Sequence, residues 1–244
     1  MSPSAVKTPS PQKTPYEKWQ DTLRAGKTDS RWAKYDGLVE ATVNEFNARL
    51  TKVGTSYRTL DKRLIKAMVW VESGGPDNAA WSTRPMQMGN PGDPGMAALL
   101  GGKEGGDLIL TAEQRRALAA GVGNPAANIL AGTAYLLMRA ASFAHKSVAS
   151  TTDAKVYEVT VTAGDNLEKI AKANGTTVDM LQGSNPAAKA MIKPGQMLKF
   201  RKASVLQVIT GWQTVNTAFA ANKYNVGDTN YKAKLEFCLS LMPQ

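Results

Sequence analysis

The feature that most constrains the fold is a change in the period of the apolar residues after residue 150. Through most of residues 31–141, apolar side chains recur every three or four positions, as in amphipathic helices. Residues 156–162 instead alternate β-branched and other side chains, as in a short strand, and two helical segments and a second strand follow before Lys202. The helical period then returns. We therefore predict a mainly α protein that contains a small α+β module of βααβ order.

Period and composition together divide the chain into four segments. Four prolines lie among Ser, Thr and Lys in the first fifteen residues, which predicts a disordered, extended arm and contains no apolar core of a signal peptide. Neither helical part has an evident complete core, so we predict that the module is inserted within one domain. The segments are the arm at 1–30, the first helical part at 31–150, the module at 155–202 and the second helical part at 203–244.

The composition excludes several kinds of chemistry. The chain has one histidine and one cysteine, so it can form neither an intramolecular disulfide nor the usual structural zinc site. We predict no cofactor and no metal, and we expect any catalysis to depend on carboxyl, hydroxyl or amide groups. The net charge of +10 is compatible with nucleic acid, an anionic membrane or an anionic polymer such as the cell wall. No apolar run is long enough to span a membrane, and no nucleic-acid motif is present.

Glu72 is the strongest catalytic candidate on physical grounds. It follows Met68 by four residues and Val69 by three, so it shares the apolar face of its helix. It also lies in the last turn, where the helix dipole disfavours a carboxylate. Desolvation and the dipole both raise a carboxyl pKa, which suits a general acid. The alternative is an ordinary surface glutamate on a helix whose buried face is assigned wrongly.

Residues 159–171, 178–181, 185–186 and 192–198 resemble, in order, the motifs of a LysM domain. LysM domains bind glycans that contain N-acetylglucosamine, in peptidoglycan or chitin. The resemblance implies a shallow groove between the loop after the first strand and the loop before the last one. Its candidate glycan-binding residues are Gly164, Asp165, Asn166, Leu167, Asn185, Pro186 and Ile192. For Gly164 and Leu167, a purely structural role in folding the module is an equal alternative.

Residues 67–74, 85–88, 124–136 and 223–227 resemble, in order, the motifs of soluble lytic transglycosylases, which have a lysozyme-like fold. These segments lie on both sides of the LysM-like module. The resemblance implies that Glu72 protonates the glycosidic oxygen, with a hydrogen bond from Tyr224. It also implies that Ser73 and Gln87 contact substrate or orient Glu72. Met86, Tyr135 and Asn225 complete the predicted substrate-binding set, with a role in the helix core as an equal alternative for Tyr135. A packing role is favoured for Trp70, Trp81 and Trp212.

The predicted function is cleavage of the β-1,4 bond between N-acetylmuramic acid and N-acetylglucosamine, with 1,6-anhydromuramoyl ends as products. One alternative is a muramidase that uses a second carboxylate, for which Asp77, Asp93 and Asp107 lie in suitable loops. The other is a wall-binding protein without catalysis. The predicted partner is the peptidoglycan glycan strand.

The predicted site of action is the periplasm or cell wall. The first residues contain no signal peptide, so either the native start is missing or delivery follows a non-classical route. We favour the second, as for a lysin or an injected antibacterial effector. Secretion machinery and an immunity protein are hypothetical further partners, and no nucleic acid is expected to bind.

Overall fold

The computed structural model describes residues 12–53, 56–189 and 191–243. The chain forms two compact units. The first combines residues up to Ala141 with those from Gly211 onward, and we call it the helical unit. The second, Ser142–Thr210, is the inserted unit. Within the described ranges, no helix combines the length and the hydropathy needed to cross a membrane.

The helical unit confirms the predicted mainly α character. Its helices are α1 (Pro15–Lys27), α2 (Asp36–Leu50), α3 (Lys62–Ser73), α4 (Ala79–Thr83), α5 (Pro94–Gly101), α6 (Gly106–Ile109), α7 (Ala112–Ala120), α8 (Pro125–Ala140), α11 (Thr217–Lys223) and α12 (Tyr231–Ser240). Short 3-10 turns lie at Ser30–Ala33 and Thr51–Val53. The lysozyme-like identity of this fold stays a prediction.

Helices α3 and α8 form the centre of the helical unit. α8 packs against α2, α5, α6 and α7, and α3 packs against α2, α4 and α12. Asp61 caps the start of α3, and Gly74 follows its last residue with a φ of 71°, the left-handed conformation that favours glycine at a helix end. Trp70 and Trp81 are both 2% exposed, and their ring centres lie 4.8 Å apart, so they pack in the core as predicted.

The predicted extended arm is wrong where the structure describes it. Residues Pro15–Lys27 form α1, which begins with a capping box between Thr14 and Glu17 and has Pro15 in its first turn. Proline is favourable there because the first turn has no internal partner for its missing N–H group. Trp19 of α1 packs against Phe237 of α12 with 5.9 Å between ring centres. The rest of the predicted arm, residues 1–11, and Gly54, the predicted stop of an earlier helix, lie outside the described residues.

The inserted unit contains the predicted βααβ module. Strand β2 (Tyr157–Thr160) pairs antiparallel with β3 (Met197–Phe200), with Tyr157 opposite Phe200. Helices α9 (Leu167–Asn174) and α10 (Val178–Ser184) lie between them in the chain, followed by a 3-10 turn at Pro186–Lys189. The buried core of the module consists of Val161, Ile170, Ala171, Leu181, Ala188, Leu198 and Phe200.

Two further strands flank this module, and they correct the sequence analysis. β1 (Ala141–Ala149) and β4 (Ala203–Trp212) form a separate two-stranded sheet. The expected helical period after Lys202 is therefore wrong through Trp212. The spacing of Val205, Val208 and Ile209 fits a helix better than a strand, but their β-branched side chains suit a strand once a partner strand is available.

Asn128 of α8 connects this helix to two loops of the helical unit. Its side chain is fully buried at 0% exposure. Its Oδ1 accepts a hydrogen bond from the Met86 backbone N–H at 2.8 Å. Its Nδ2 donates to the carbonyl oxygens of Met88 at 2.9 Å and Val122 at 3.1 Å. One amide group thus fixes residues 86–88 against α8.

Asn128→Ala should lower the free energy of unfolding by about 3 kcal/mol, because it leaves three buried backbone groups without partners, at about 1–3 kcal/mol for each lost partner. Urea denaturation measures the change. Asn124→Ala, which removes the N-terminal cap of the same helix, is the matched control and should cost about 1 kcal/mol. Equal losses in the two variants would contradict the structural role assigned to Asn128.

Candidate active site

A cleft of about 450 Å³ opens in the helical unit. Its lining comes from the last turn of α3, from residues 86–95, from α8 and from the end of α11. The structure brings six of the predicted residues together there: Glu72, Met86, Gln87, Tyr135, Tyr224 and Asn225. Only Ser73, of the site residues predicted in this unit, is not among the lining residues.

Glu72 is partly buried at the end of α3. Burial raises the pKa of its carboxyl group above the ordinary value, and the nearby Asp228 carboxylate raises it further. Tyr231, Asn225 and Lys234 act in the opposite direction without cancelling the effect of burial. The Asn225 side-chain amide donates a long hydrogen bond of 3.4 Å to Oε1. The desolvated environment expected from the helical period is thus present, and the alternative of a fully exposed glutamate does not hold.

Tyr224 has a different partner from the one predicted. Its hydroxyl donates to the Met86 carbonyl oxygen at 2.7 Å, so its single proton is not available to Glu72. The predicted hydrogen bond to Glu72 is therefore wrong. Burial raises the pKa of Tyr224 well above its ordinary value, and the charges of Glu72 and Asp93 add to this effect. Tyr224 is therefore neutral, and its hydroxyl group fixes the inner wall of the cleft through the bond to Met86.

Gly132 of α8 makes room for this wall. A Cβ atom at this position would lie 2.7 Å from the Met86 Cβ and 2.8 Å from the Tyr224 hydroxyl. Both distances are too short for a side chain to fit without movement. Gly132 lies within the transglycosylase-like segment 124–136, but its close contacts come from residues 46 and 92 positions away and have no local sequence signal.

Residues 86–90 shape one side of the cleft. Met86 is 0% exposed, so its side chain packs in the core and offers no free surface for a sugar, contrary to its predicted role in substrate contact. Gln87 has a φ of 55°, which is uncommon for a residue other than glycine. Its side-chain oxygen accepts a hydrogen bond from Asn90 Nδ2 at 2.9 Å. Tyr135 packs edge-on against Tyr224, with 5.7 Å between ring centres.

Ser73 does not face the cleft, which contradicts its predicted contact with substrate, whereas its other predicted role, orienting Glu72, stays a prediction. Ser73 is 1% exposed. Its hydroxyl donates to the Val69 carbonyl oxygen at 2.6 Å and accepts from the Gly75 backbone N–H at 3.1 Å. The side chain thus completes the end of α3, directly after Glu72.

Of the three aspartates that could supply a second catalytic carboxylate, the structure places one in the cleft and two outside its lining. Asp93 lines the cleft, but its two oxygens accept hydrogen bonds from the backbone N–H groups of Gly89 and Gly95, each at 2.7 Å. The Asp77 side chain is 88% exposed and pairs with Arg31. Asp107 is not among the lining residues. Asp77 and Asp107 are thus not placed in this cleft.

Sequence reasoning missed two groups that affect Glu72. Asp228 contributes to its pKa and forms a 2.6 Å ion pair with Lys234. Tyr231 is fully buried, and its hydroxyl lies near the Glu72 carboxyl group without a partner in ordinary hydrogen-bond geometry among the described residues. Burial and the charge of Glu72 raise the pKa of Tyr231 well above its ordinary value. Both residues lie over 150 positions from Glu72 in the chain, so no local pattern indicates their proximity.

Several of the predicted glycan-binding side chains of the inserted unit form hydrogen bonds or packing contacts within the module itself. Asp165 accepts hydrogen bonds from Thr162, and Asn166 caps the start of α9. The Asn185 amide binds the backbone of Leu181 and Lys199, so it joins α10 to β3. Leu167 and Ile192 pack partly buried against the module core. These hydrogen bonds and packing contacts favour a structural role for the five side chains.

Gly164 and Pro186 are exposed, as glycan-binding positions require. Beside Ile192, Met191 is 67% exposed, which makes it a large apolar side chain at the surface of the predicted glycan-binding loop. The sequence motif did not single it out. Its apolar surface is available to cover the face of a sugar.

Comparison with known proteins identifies the inserted module. The family model for the LysM domain matches residues 159–201, so this segment is a LysM domain. A LysM domain indicates binding of peptidoglycan or a related glycan and suggests association with the cell wall. No curated protein and no solved structure matches the chain. In the described part of the chain, no group of His, Cys, Asp and Glu side chains is arranged to hold a metal ion.

Glu72→Gln should stabilise the protein at neutral pH. Because the folded-state pKa of Glu72 is raised, wild-type stability is lost as the pH rises from about 4.5 through that pKa and the buried carboxyl group must ionise. Glutamine does not ionise, so the stability difference between variant and wild type should be smallest near pH 4 and grow toward pH 7. Thermal unfolding across this range measures it.

Glu113→Gln on α7 changes an exposed carboxyl group and is the matched control. Its stability difference from wild type should vary much less between pH 4 and pH 7. A flat difference for Glu72→Gln as well would show that Glu72 is not desolvated.

Proposed function

We propose that this protein binds peptidoglycan through its LysM domain and cleaves the glycan strands in the cleft of a lysozyme-like helical unit. The observation that carries the proposal is the position of Glu72. Its carboxyl group is partly buried beside an open cleft, with a raised pKa. Such a group keeps its proton at higher pH than an ordinary carboxyl group, as an acid for glycosidic cleavage must.

The proposed reaction is a lytic transglycosylation. Glu72 donates its proton to the oxygen between N-acetylmuramic acid and N-acetylglucosamine, and the C1–O bond breaks with its electron pair on the leaving oxygen. The Glu72 carboxylate then takes the proton of the muramoyl C6 hydroxyl as that oxygen bonds to C1. The product is a 1,6-anhydromuramoyl end, no water is consumed, and Glu72 is protonated again.

The neighbours of Glu72 suit this reaction. The amide of Asn225 contacts Oε1 and can hold the carboxyl group in place while it changes charge. Side-chain amides of Gln87, Asn222 and Asn225 line the cleft and offer both donors and acceptors to the acetamido groups and hydroxyls of a glycan.

The hydrogen bonds of Asp93 favour lytic cleavage over hydrolysis. An inverting hydrolase needs a second carboxylate that acts as a base on water. Among the described residues that line the cleft, Asp93 is the only carboxylate besides Glu72, and both of its oxygens already accept backbone N–H groups. Both oxygens of Asp93 are thus engaged by the backbone, and neither is free to orient a water molecule for attack.

Digestion of purified peptidoglycan, with mass spectrometry of the soluble products, tests the reaction. Wild type should release fragments with 1,6-anhydromuramoyl ends. Glu72→Gln should reduce release by at least about 100-fold, the usual contribution of a general acid, whereas Glu113→Gln should retain wild-type activity. Reducing ends without anhydro products would replace the lytic reaction with hydrolysis. No release by wild type would leave a binding protein without catalysis.

A pull-down with insoluble peptidoglycan tests the LysM domain. The Glu72→Gln background prevents digestion during the assay. Met191→Gln should weaken binding about tenfold, or about 1.4 kcal/mol, because it removes apolar cover from the glycan. Met197→Gln is the control, since Met197 is similarly exposed at 58% but lies on β3. Equal effects of the two substitutions would remove Met191 from the glycan site.

The proposal places the activity in the periplasm or cell wall. Delivery by a specialised secretion route, with an immunity protein as a partner of an antibacterial effector, stays a prediction of the sequence analysis.

A further inference from the structure

Two positively charged side chains line the cleft and have no role in the proposed reaction. Arg139 lies on α8 four residues after Tyr135, and both side chains line the cleft because residues four apart share a helix face. Lys223 is the last residue of α11 and directly precedes Tyr224. Both cations therefore belong to the same cavity as Glu72.

The carboxyl groups of the cleft do not neutralise these cations. Asp93 directs its oxygens to backbone N–H groups, and Glu72 bonds to Asn225. Within the described ranges, Lys223 has no ion-pair partner. The cleft thus presents unpaired positive charge beside the candidate acid.

Arg139 is held by one exposed partner. Its Nη1 contacts Glu104 at 3.3 Å, with the two side chains 37% and 53% exposed. Such surface pairs contribute little free energy and exchange readily for another anion. The terminal Nη2 group of Arg139 makes no hydrogen bond in the part of the chain that the structure describes, so Arg139 keeps donor capacity for a bound carboxylate.

The repeating disaccharide of peptidoglycan explains what such cations can recognise. Its sugars are neutral, because the lactyl group of each muramoyl residue is joined to the stem peptide through an amide. Negative charge comes from carboxylates of the stem peptide, or from the lactyl group itself once the peptide is removed. A cationic subsite therefore has no partner on a neutral glycan.

Resting on the proposed function, we propose that Arg139 and Lys223 form a carboxylate-binding subsite of the cleft, which selects glycan strands that carry carboxylates over neutral ones. Arginine binds a carboxylate through paired N–H groups, and Lys223 adds a second charge from the neighbouring helix end. The substrate class is thus an anionic, carboxylate-bearing peptidoglycan rather than a chitin-like polymer.

Three preparations of the same wall test the subsite: native strands, strands whose carboxyl groups are converted to neutral amides with carbodiimide and ethanolamine, and strands whose peptides are removed by an amidase. Wild type should digest native strands about tenfold faster than the neutralised ones. Lys223→Gln and Arg139→Gln should each lower this rate ratio several-fold. Lys18→Gln, an exposed lysine of α1 outside the cleft, should keep the wild-type ratio.

The amidase-treated strands identify the source of the carboxylate. A rate close to that of native strands assigns the subsite to the lactyl carboxylate, and a rate close to that of neutralised strands assigns it to the stem peptide. Equal wild-type rates on native and neutralised strands would overturn the proposal, as would an unchanged ratio in both variants whose thermal midpoints match wild type.

A binding measurement separates this inference from the proposed catalysis. Calorimetry on the Glu72→Gln protein compares a soluble disaccharide–tetrapeptide with its amidated form, before and after adding Lys223→Gln. A preference of the Glu72→Gln protein for the anionic form, lost once Lys223→Gln is added, supports the subsite even if wild type cleaves no wall. Cleavage without any such preference would retain the proposed function and reject the subsite.

Discussion

The buried side chain of Asn128 is the interaction on which the cleft depends. It joins α8 to the backbone of Met86, Met88 and Val122 through three hydrogen bonds, in a position that water does not reach. An unpaired amide would be costly there, so the three groups are held together. Gly132, one turn further along α8, lets Met86 and Tyr224 approach the helix closely, and Tyr224 then bonds to the Met86 carbonyl. The inner wall of the cleft follows from these contacts.

Glu72 lies beside this wall, but its carboxyl group has fewer hydrogen-bond partners than the polar groups of the wall. The polar groups of the wall are paired, whereas the Glu72 carboxyl group has one long hydrogen bond and a raised pKa caused mainly by burial. Ser73 completes the helix end immediately after it. A helix that was selected for stability alone would not leave an acidic group there. The LysM domain, by contrast, uses most of its polar motif side chains to hold its own loops.

Sequence reasoning succeeded where the determining contacts are local. The spacing of Met68, Val69 and Glu72 correctly predicted a helix and the apolar face that Glu72 shares. The LysM motifs correctly predicted the βααβ order. It failed for α1, because proline at a first helical position was interpreted as disorder. It also failed for β4, because Val205, Val208 and Ile209 are spaced as in a helix, and the pairing of β4 with the distant β1 has no local sequence signal. Six of seven predicted site residues in the helical unit line one cleft, although Met86 and Tyr224 serve it through packing and a backbone bond.

The mainly α character, the LysM domain and the position of Glu72 in the last turn of an amphipathic helix were all predictable, since each depends on residue spacing within a few turns of chain. Three other features emerged from the folded chain alone. Residues 203–212 pair as a strand with residues 141–149, Tyr224 donates to Met86, and Arg139 and Lys223 share a cleft with Glu72. A hydrogen bond acts only over a few ångströms in space. Such partners come from distant parts of the chain, and local periodicity contains no information about which of them meet.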